Sequence, residues 1–91
     1  MTGTTSTLEN YMLVSTREDI LEMNVVARYK DGVPVYSCAV RRGGHIQPIL
    51  GTACFTETDA LDLLGALAED LKSGQWVLGT QDARPILKRA V

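Results

Sequence analysis

The stretch RYKDGVPVYS, residues 28–37, holds the clearest local signal in the chain, because it places an Asp-Gly pair between two runs of strand-forming residues. A two-residue type I′ turn requires positive φ at both central positions, and Asp-Gly is among the pairs that adopt this conformation most readily. The stretch therefore predicts a β-hairpin with Asp31 and Gly32 at its tip.

The run before the turn, residues 20–30, alternates between apolar and polar side chains, which is typical of a strand with one buried face. Its alternating apolar positions are Leu21, Met23, Val25, Ala27 and Tyr29. A turn at Asp31 and Gly32 sets Val25 opposite Cys38 and Met23 opposite Val40. The hydrophobic pattern and the turn geometry thus agree on one register.

Two more strands are predicted around this hairpin. Residues 8–14, LENYMLV, form a short apolar-aromatic run that suits an edge strand. Residues 46–55, IQPILGTACF, form a further strand whose register stays open. A bulge at either Pro48 or Gly51 would reverse the alternation of its side chains.

The segment TETDALDLLGALAEDLKSG predicts a helix with Thr56 or Thr58 as its N-cap and Ser73-Gly74 at its end. A rotation of about 100° per residue brings six apolar side chains to one face. These are Ala60, Leu61, Leu64, Leu67, Ala68 and Leu71. Residues 75–78 then form either a last short strand or a cover over the core.

These elements predict an α+β fold, with an antiparallel meander of three to four strands and one amphipathic helix packed on one face. Residues 8–79 are expected to form a single domain. Residues 1–7 are expected to be a flexible tail, since they are small and polar, and residues 80–91 a polar-basic tail with one apolar patch.

Composition narrows the class of protein. The chain has 91 residues, of which 45% are apolar and 22% charged, and its net charge is −2. These proportions are ordinary for a globular protein, and no apolar run approaches the roughly 18 residues of a membrane span. The N-terminal sequence lacks the features of a secretion signal. With only Cys38 and Cys54, we expect a reducing, cytoplasmic location.

No catalytic residue, metal ligand or cofactor is predicted. His45 is the only histidine, and zinc sites need several His or Cys ligands. The phosphate-binding motif GxxxxGK[ST] and the dinucleotide motif GxGxxG are absent. The helix carries five acidic residues, which we interpret as a solvated surface: Glu57, Asp59, Asp62, Glu69 and Asp70. The chain is therefore expected not to be an enzyme.

A protein partner, and in the first place a second copy of the chain, is the leading hypothesis. The sheet face opposite the helix combines valines with charged residues, and its predicted interface residues are Val26, Val33, Val35, Ala39 and Arg41. Contiguous exposed apolar area of this kind marks interaction sites. The chain would then be a dimeric interaction module of the kind that phages and mobile elements encode as adaptors or inhibitors. Alternatively, a tail of the same monomer covers this face.

The second hypothesis is binding of single-stranded nucleic acid by the basic hairpin. Its cations are Arg28, Lys30, Arg41 and Arg42, and Tyr29 and Tyr36 lie on the same hairpin. Bases stack on aromatic side chains of sheet faces. The predicted register turns both tyrosines toward the core, and a pI near 5.2 is unusual for a protein that binds phosphates. Nucleic acid is therefore the less favoured partner.

Overall fold

The computed structural model describes residues 12–16, 20–42 and 44–90. In this part of the chain the strands are β1 (Met12–Ser15), β2 (Ile20–Lys30), β3 (Val33–Arg42), β4 (His45–Pro48), β5 (Trp76–Gln81) and β6 (Arg84–Arg89). The helix α1 spans Glu57–Ser73. β1 to β4 form an antiparallel sheet in the order β1-β2-β3-β4, and β5 pairs with β6. The α+β class is confirmed. The predicted tail at residues 1–7, and residues 8–11 of the predicted first strand, lie outside the described residues.

The β2–β3 hairpin has the predicted register. Val25 pairs with Cys38, and Glu22 pairs with Arg41, whose side chains approach to 3.9 Å. Asp31 and Gly32 have φ values of 54° and 78°, as a type I′ turn requires. Pro34 lies beyond the end of β4, so its missing N–H costs no hydrogen bond on that side.

After β4 the chain bulges out of the ladder with β3. Ile49 donates a backbone hydrogen bond to Cys38, and pairing resumes between Tyr36 and Cys54, so residues 50–53 lie opposite Ser37 alone. Within this bulge Gly51 has a φ of 82°, a value that disfavours other residues. The sequence left the register of residues 46–55 open. In the structure, the bulge shifts the pairing of this segment with β3 between Ile49 and Cys54.

A buried threonine holds the bulge in place. The Thr52 hydroxyl accepts a hydrogen bond from the Cys38 N–H at 3.1 Å and lies 2.7 Å from the carbonyl oxygen of Ile49. The Thr52 hydroxyl thus replaces the backbone acceptor that the Cys38 N–H would otherwise have in the β-ladder. Without it the buried Cys38 N–H would be unsatisfied, which is costly.

Helix α1 begins and ends as predicted. The Thr56 hydroxyl accepts a hydrogen bond from the Asp59 N–H, and Gly74 ends the helix with a φ of 81°. The buried face comprises Ala60, Leu64, Leu67, Ala68 and Leu71. The prediction for Leu61 was wrong: its side chain is 50% exposed, because it lies at the margin of this face, and Leu63 packs against the core on the opposite margin.

The C-terminal residues form a hairpin rather than a tail. Residues 80–91 were predicted to be a tail outside the domain. In the structure, residues 80–89 form the end of β5, the turn and β6. Leu78 and Leu87, which face each other in this hairpin, pack against the main core. Pro85 is buried, and its carbonyl oxygen accepts a hydrogen bond from Leu50. The apolar patch predicted near the end of the chain thus belongs to the folded unit.

Candidate functional site

The main sheet has two unequal faces. The inner face packs under α1 and contributes Val14, Leu21, Met23, Val25, Cys38 and Val40 to the core. Residues that pair directly across an antiparallel ladder share a face. The other face, here called the outer face, therefore consists of Leu13, Ser15, Ile20, Glu22, Asn24, Val26, Arg28, Lys30, Val33, Val35, Ser37, Ala39, Arg41, Ile46 and Pro48. All of the predicted interface residues lie on it.

The predicted interface residues differ in exposure. Val33 and Arg41 are exposed, Val26 and Val35 are half-buried, and Ala39 is buried with 2% exposure. The centre of the outer face, which comprises Ala39 and its neighbours Asn24 and Ser37, is buried as a whole. The apolar surface is therefore divided between the two ends of the face rather than continuous along it.

Two exposed apolar residues of the outer face were not included in the predicted interface. Leu13 is 63% exposed and Ile20 is 64% exposed, and both lie where β1 pairs with β2. The alternation that places Val26 on the outer face also places Ile20 there, so the sequence contained that signal. Placing Leu13 on the outer face required the register between β1 and β2, which no turn motif in the sequence specifies.

The predicted nucleic-acid residues fall on both faces. Arg28, Lys30 and Arg41 lie on the outer face, whereas Arg42 has inner-face parity at the end of β3, where it pairs with His45. The helix with its five acidic residues packs on the inner side. The outer face therefore has a net positive charge and the helix on the other side of the sheet a net negative one.

A pocket of about 320 Å³ opens on the outer face, between the sheet and the start of β6. Its sheet side is formed by Arg28, Ser37, Ile46 and Pro48, and its remaining lining by residues 47, 49–51, 53, 84 and 85. The hydrogen bond from Leu50 to Pro85 fixes the bulge to β6 beside it. Sequence reasoning missed this pocket because it depends on the C-terminal hairpin.

Neither thiol forms a catalytic pair with the histidine. His45 pairs with Arg42, and Cys54 pairs with Tyr36, which lies six residues before Arg42 in β3. At about 3.4 Å per residue this separates them by about 20 Å. Burial, reinforced by the nearby Cys54, raises the pKa of the Cys38 thiol to about 11. Cys38 is therefore protonated at neutral pH and a poor nucleophile.

The described residues contain no group of three or more His, Cys, Asp and Glu side chains placed to hold a metal ion. Among them, α1 is the only helix, and it lacks the length and apolar character needed to cross a membrane. Comparisons with protein-family models, with curated proteins and with solved structures find no match to this chain.

Proposed function

We propose that this protein is a non-enzymatic interaction module that binds a second copy of itself through the outer face of its main sheet. The observation that carries the proposal is the exposure of large apolar side chains on that face. Leu13, Ile20 and Val33 are 49–64% exposed, whereas the inner face is covered by α1. Exposed apolar area stabilises association when a partner removes it from water.

The outer face can pack against the same face of a second copy. A two-fold symmetric interface uses the same surface patch on both chains, so that patch must complement itself. The outer face carries the acidic Glu22, which lies 3.9 Å from Arg41, together with the basic Arg28 and Lys30. Two such faces can pack their valines against each other, as packed sheets do at a separation of about 10 Å, with Glu22 of each copy near a basic residue of the other. The cysteine content supports a cytoplasmic location for this module.

Substitution of Val35 tests this proposal. Val35→Glu is expected to raise the dimer dissociation constant at least tenfold, because it would place a charge against apolar surface in the interface. Val33→Glu provides a second test at a more exposed position of the same face. Analytical ultracentrifugation from about 10 to 500 µM measures the effect, with circular dichroism to confirm that each variant is folded.

Leu61→Glu is the matched control, because Leu61 is an apolar residue on the helix, away from the outer face, and its 50% exposure matches the 49% of Val33. It should leave the dissociation constant unchanged. A wild-type chain that remains monomeric at 500 µM would contradict self-association. Equal weakening by Leu61→Glu and Val35→Glu would contradict the assignment of the interface to the outer face.

Binding of single-stranded nucleic acid is the second candidate function, and the separation of charge across the sheet favours it. Arg28, Lys30 and Arg41 lie on the outer face, while the acidic residues of the helix lie on the opposite layer and repel a bound strand less. About four cations, with Arg42 included, would give a log–log dependence of affinity on salt with a slope near −3.

Fluorescence anisotropy with a labelled oligonucleotide distinguishes the two functions. If the module binds only protein, no binding tighter than about 100 µM is expected at physiological salt, since non-specific attraction reaches this range. Micromolar binding that is lost in the double variant Arg41→Ala with Arg42→Ala would make nucleic acid the partner. The double variant Glu69→Ala with Asp70→Ala removes helix charges instead and should not weaken such binding.

A further inference from the structure

We propose that the pocket on the outer face binds a small organic oxyanion, a carboxylate or a phosphate monoester with a short apolar body, between Arg28 and Arg84. Both arginines line the pocket, and none of the other lining residues is acidic. The pocket lies on the same face as the proposed self-association and shares Arg28 with it. The pocket site is inferred from the two arginines and the bulge, whereas self-association rests on the exposed apolar residues.

The two arginines are available for a ligand. Within residues 12–16, 20–42 and 44–90, neither guanidinium group takes part in an ion pair, since those found join Arg41 to Glu22 and Lys72 to Glu69. Arginine is always protonated, and its planar group donates two parallel hydrogen bonds to a carboxylate or phosphate. Two such groups at one pocket, with no carboxylate in its lining, favour an anionic ligand.

The bulge adds uncharged donors to the same pocket. Gly51 and Ala53 line it, and their backbone N–H groups donate to no other described residue. Backbone N–H groups in turns with left-handed residues commonly bind anions, and Gly51 has such a conformation. Ser37, buried at the sheet side of the pocket, offers a hydroxyl group.

The remaining lining determines the body of the ligand. Ile46, Pro48 and Pro85 present apolar surface beside the arginines. The volume of about 320 Å³ is at the lower limit of small-molecule pockets, which span roughly 300–1,000 Å³. An oxyanion attached to a small aliphatic or aromatic group matches both the charge and the size.

Titrations with sodium benzoate and with inorganic phosphate, followed by backbone amide NMR shifts at constant ionic strength, test the proposal. Saturable shifts at Ser37, Gly51 and Ala53 are expected with at least one probe, with a Kd on the order of 1 mM, as a small ligand allows. Saturation with benzoate assigns a carboxylate ligand, and saturation with phosphate assigns a phosphate ester.

Arg28→Gln and Arg84→Gln should each weaken the binding about tenfold or more, because each removes charged hydrogen bonds. Arg42→Gln, which changes an arginine outside the pocket, should leave the Kd unchanged. Shifts that do not saturate with either probe would overturn the proposal. So would saturation that persists with unchanged Kd in either pocket variant.

Discussion

Leu71→Ala is expected to lower the free energy of unfolding by about 2–5 kcal/mol, and Leu64→Ala should lower it by a similar amount. Both side chains are almost fully buried, at 2% and 3% exposure, in the core between α1 and the inner face of the sheet. Truncation removes apolar contacts and leaves a cavity that the surrounding strands can fill only in part. A domain of this size has only about 5–15 kcal/mol of stability, so the loss is a large share of the total.

Urea unfolding followed by circular dichroism measures this loss, and Leu61→Ala is the matched control. Leu61 is on the same helix but half exposed, so its truncation should cost less than about 1 kcal/mol. Comparable losses for Leu61→Ala and Leu71→Ala would show that a different face of the helix packs on the sheet.

Raising the pH from 8 to 11 is expected to lower the free energy of unfolding by about 2 kcal/mol through Cys38 alone. Burial, and to a lesser extent the neighbouring Cys54, raises the pKa of the Cys38 thiol from 9.0 to about 11. Between these two values the unfolded chain has lost a proton that the folded chain retains. Stability is therefore fully present below pH 9 and is lost as the pH rises toward 11. Each pKa unit corresponds to about 1.4 kcal/mol.

Urea unfolding in the presence of a reductant at pH 8 and pH 11 measures this dependence. Other effects of alkaline pH are common to both proteins, so the informative quantity is the difference between wild type and Cys38→Ala. The variant should lose about 2 kcal/mol less than the wild type over the interval. Cys54→Ala retains the buried thiol and should keep most of the dependence. Equal pH dependence in wild type and Cys38→Ala would contradict the raised pKa.

Local patterns were sufficient for the central hairpin and the helix ends. Asp31-Gly32 specifies a turn whose backbone conformation is restricted to a few residue types, and the alternation from Leu21 onward allows only one register. The helix caps at Thr56 and Gly74 are likewise local, since each satisfies backbone groups within one turn. Such features depend on neighbours in the sequence and can be predicted without the tertiary structure.

The sequence predicted a possible strand at residues 75–78 but not the second strand of the C-terminal hairpin, because the turn has Ala83 where glycine is usual. Asp82 and Ala83 both have positive φ, at 52° and 64°, although a left-handed conformation costs an alanine roughly 1–2 kcal/mol. Asp82 adopts that conformation readily, but Ala83 does not. Contacts of Leu78 and Leu87 with the core, together with the burial of Pro85, hold the turn in place.

The hairpin register, the helix and the face on which the predicted interface residues lie follow from the sequence, because each depends on short-range periodicity or turn chemistry. Which of those residues are exposed depends on the packing of the whole chain, and the same packing brings Arg28 and Arg84 to one pocket. These two arginines lie 56 residues apart in the sequence, on β2 and β6. Their proximity results from the packing of the C-terminal hairpin beside the bulge at Gly51, a long-range contact that no local pattern encodes.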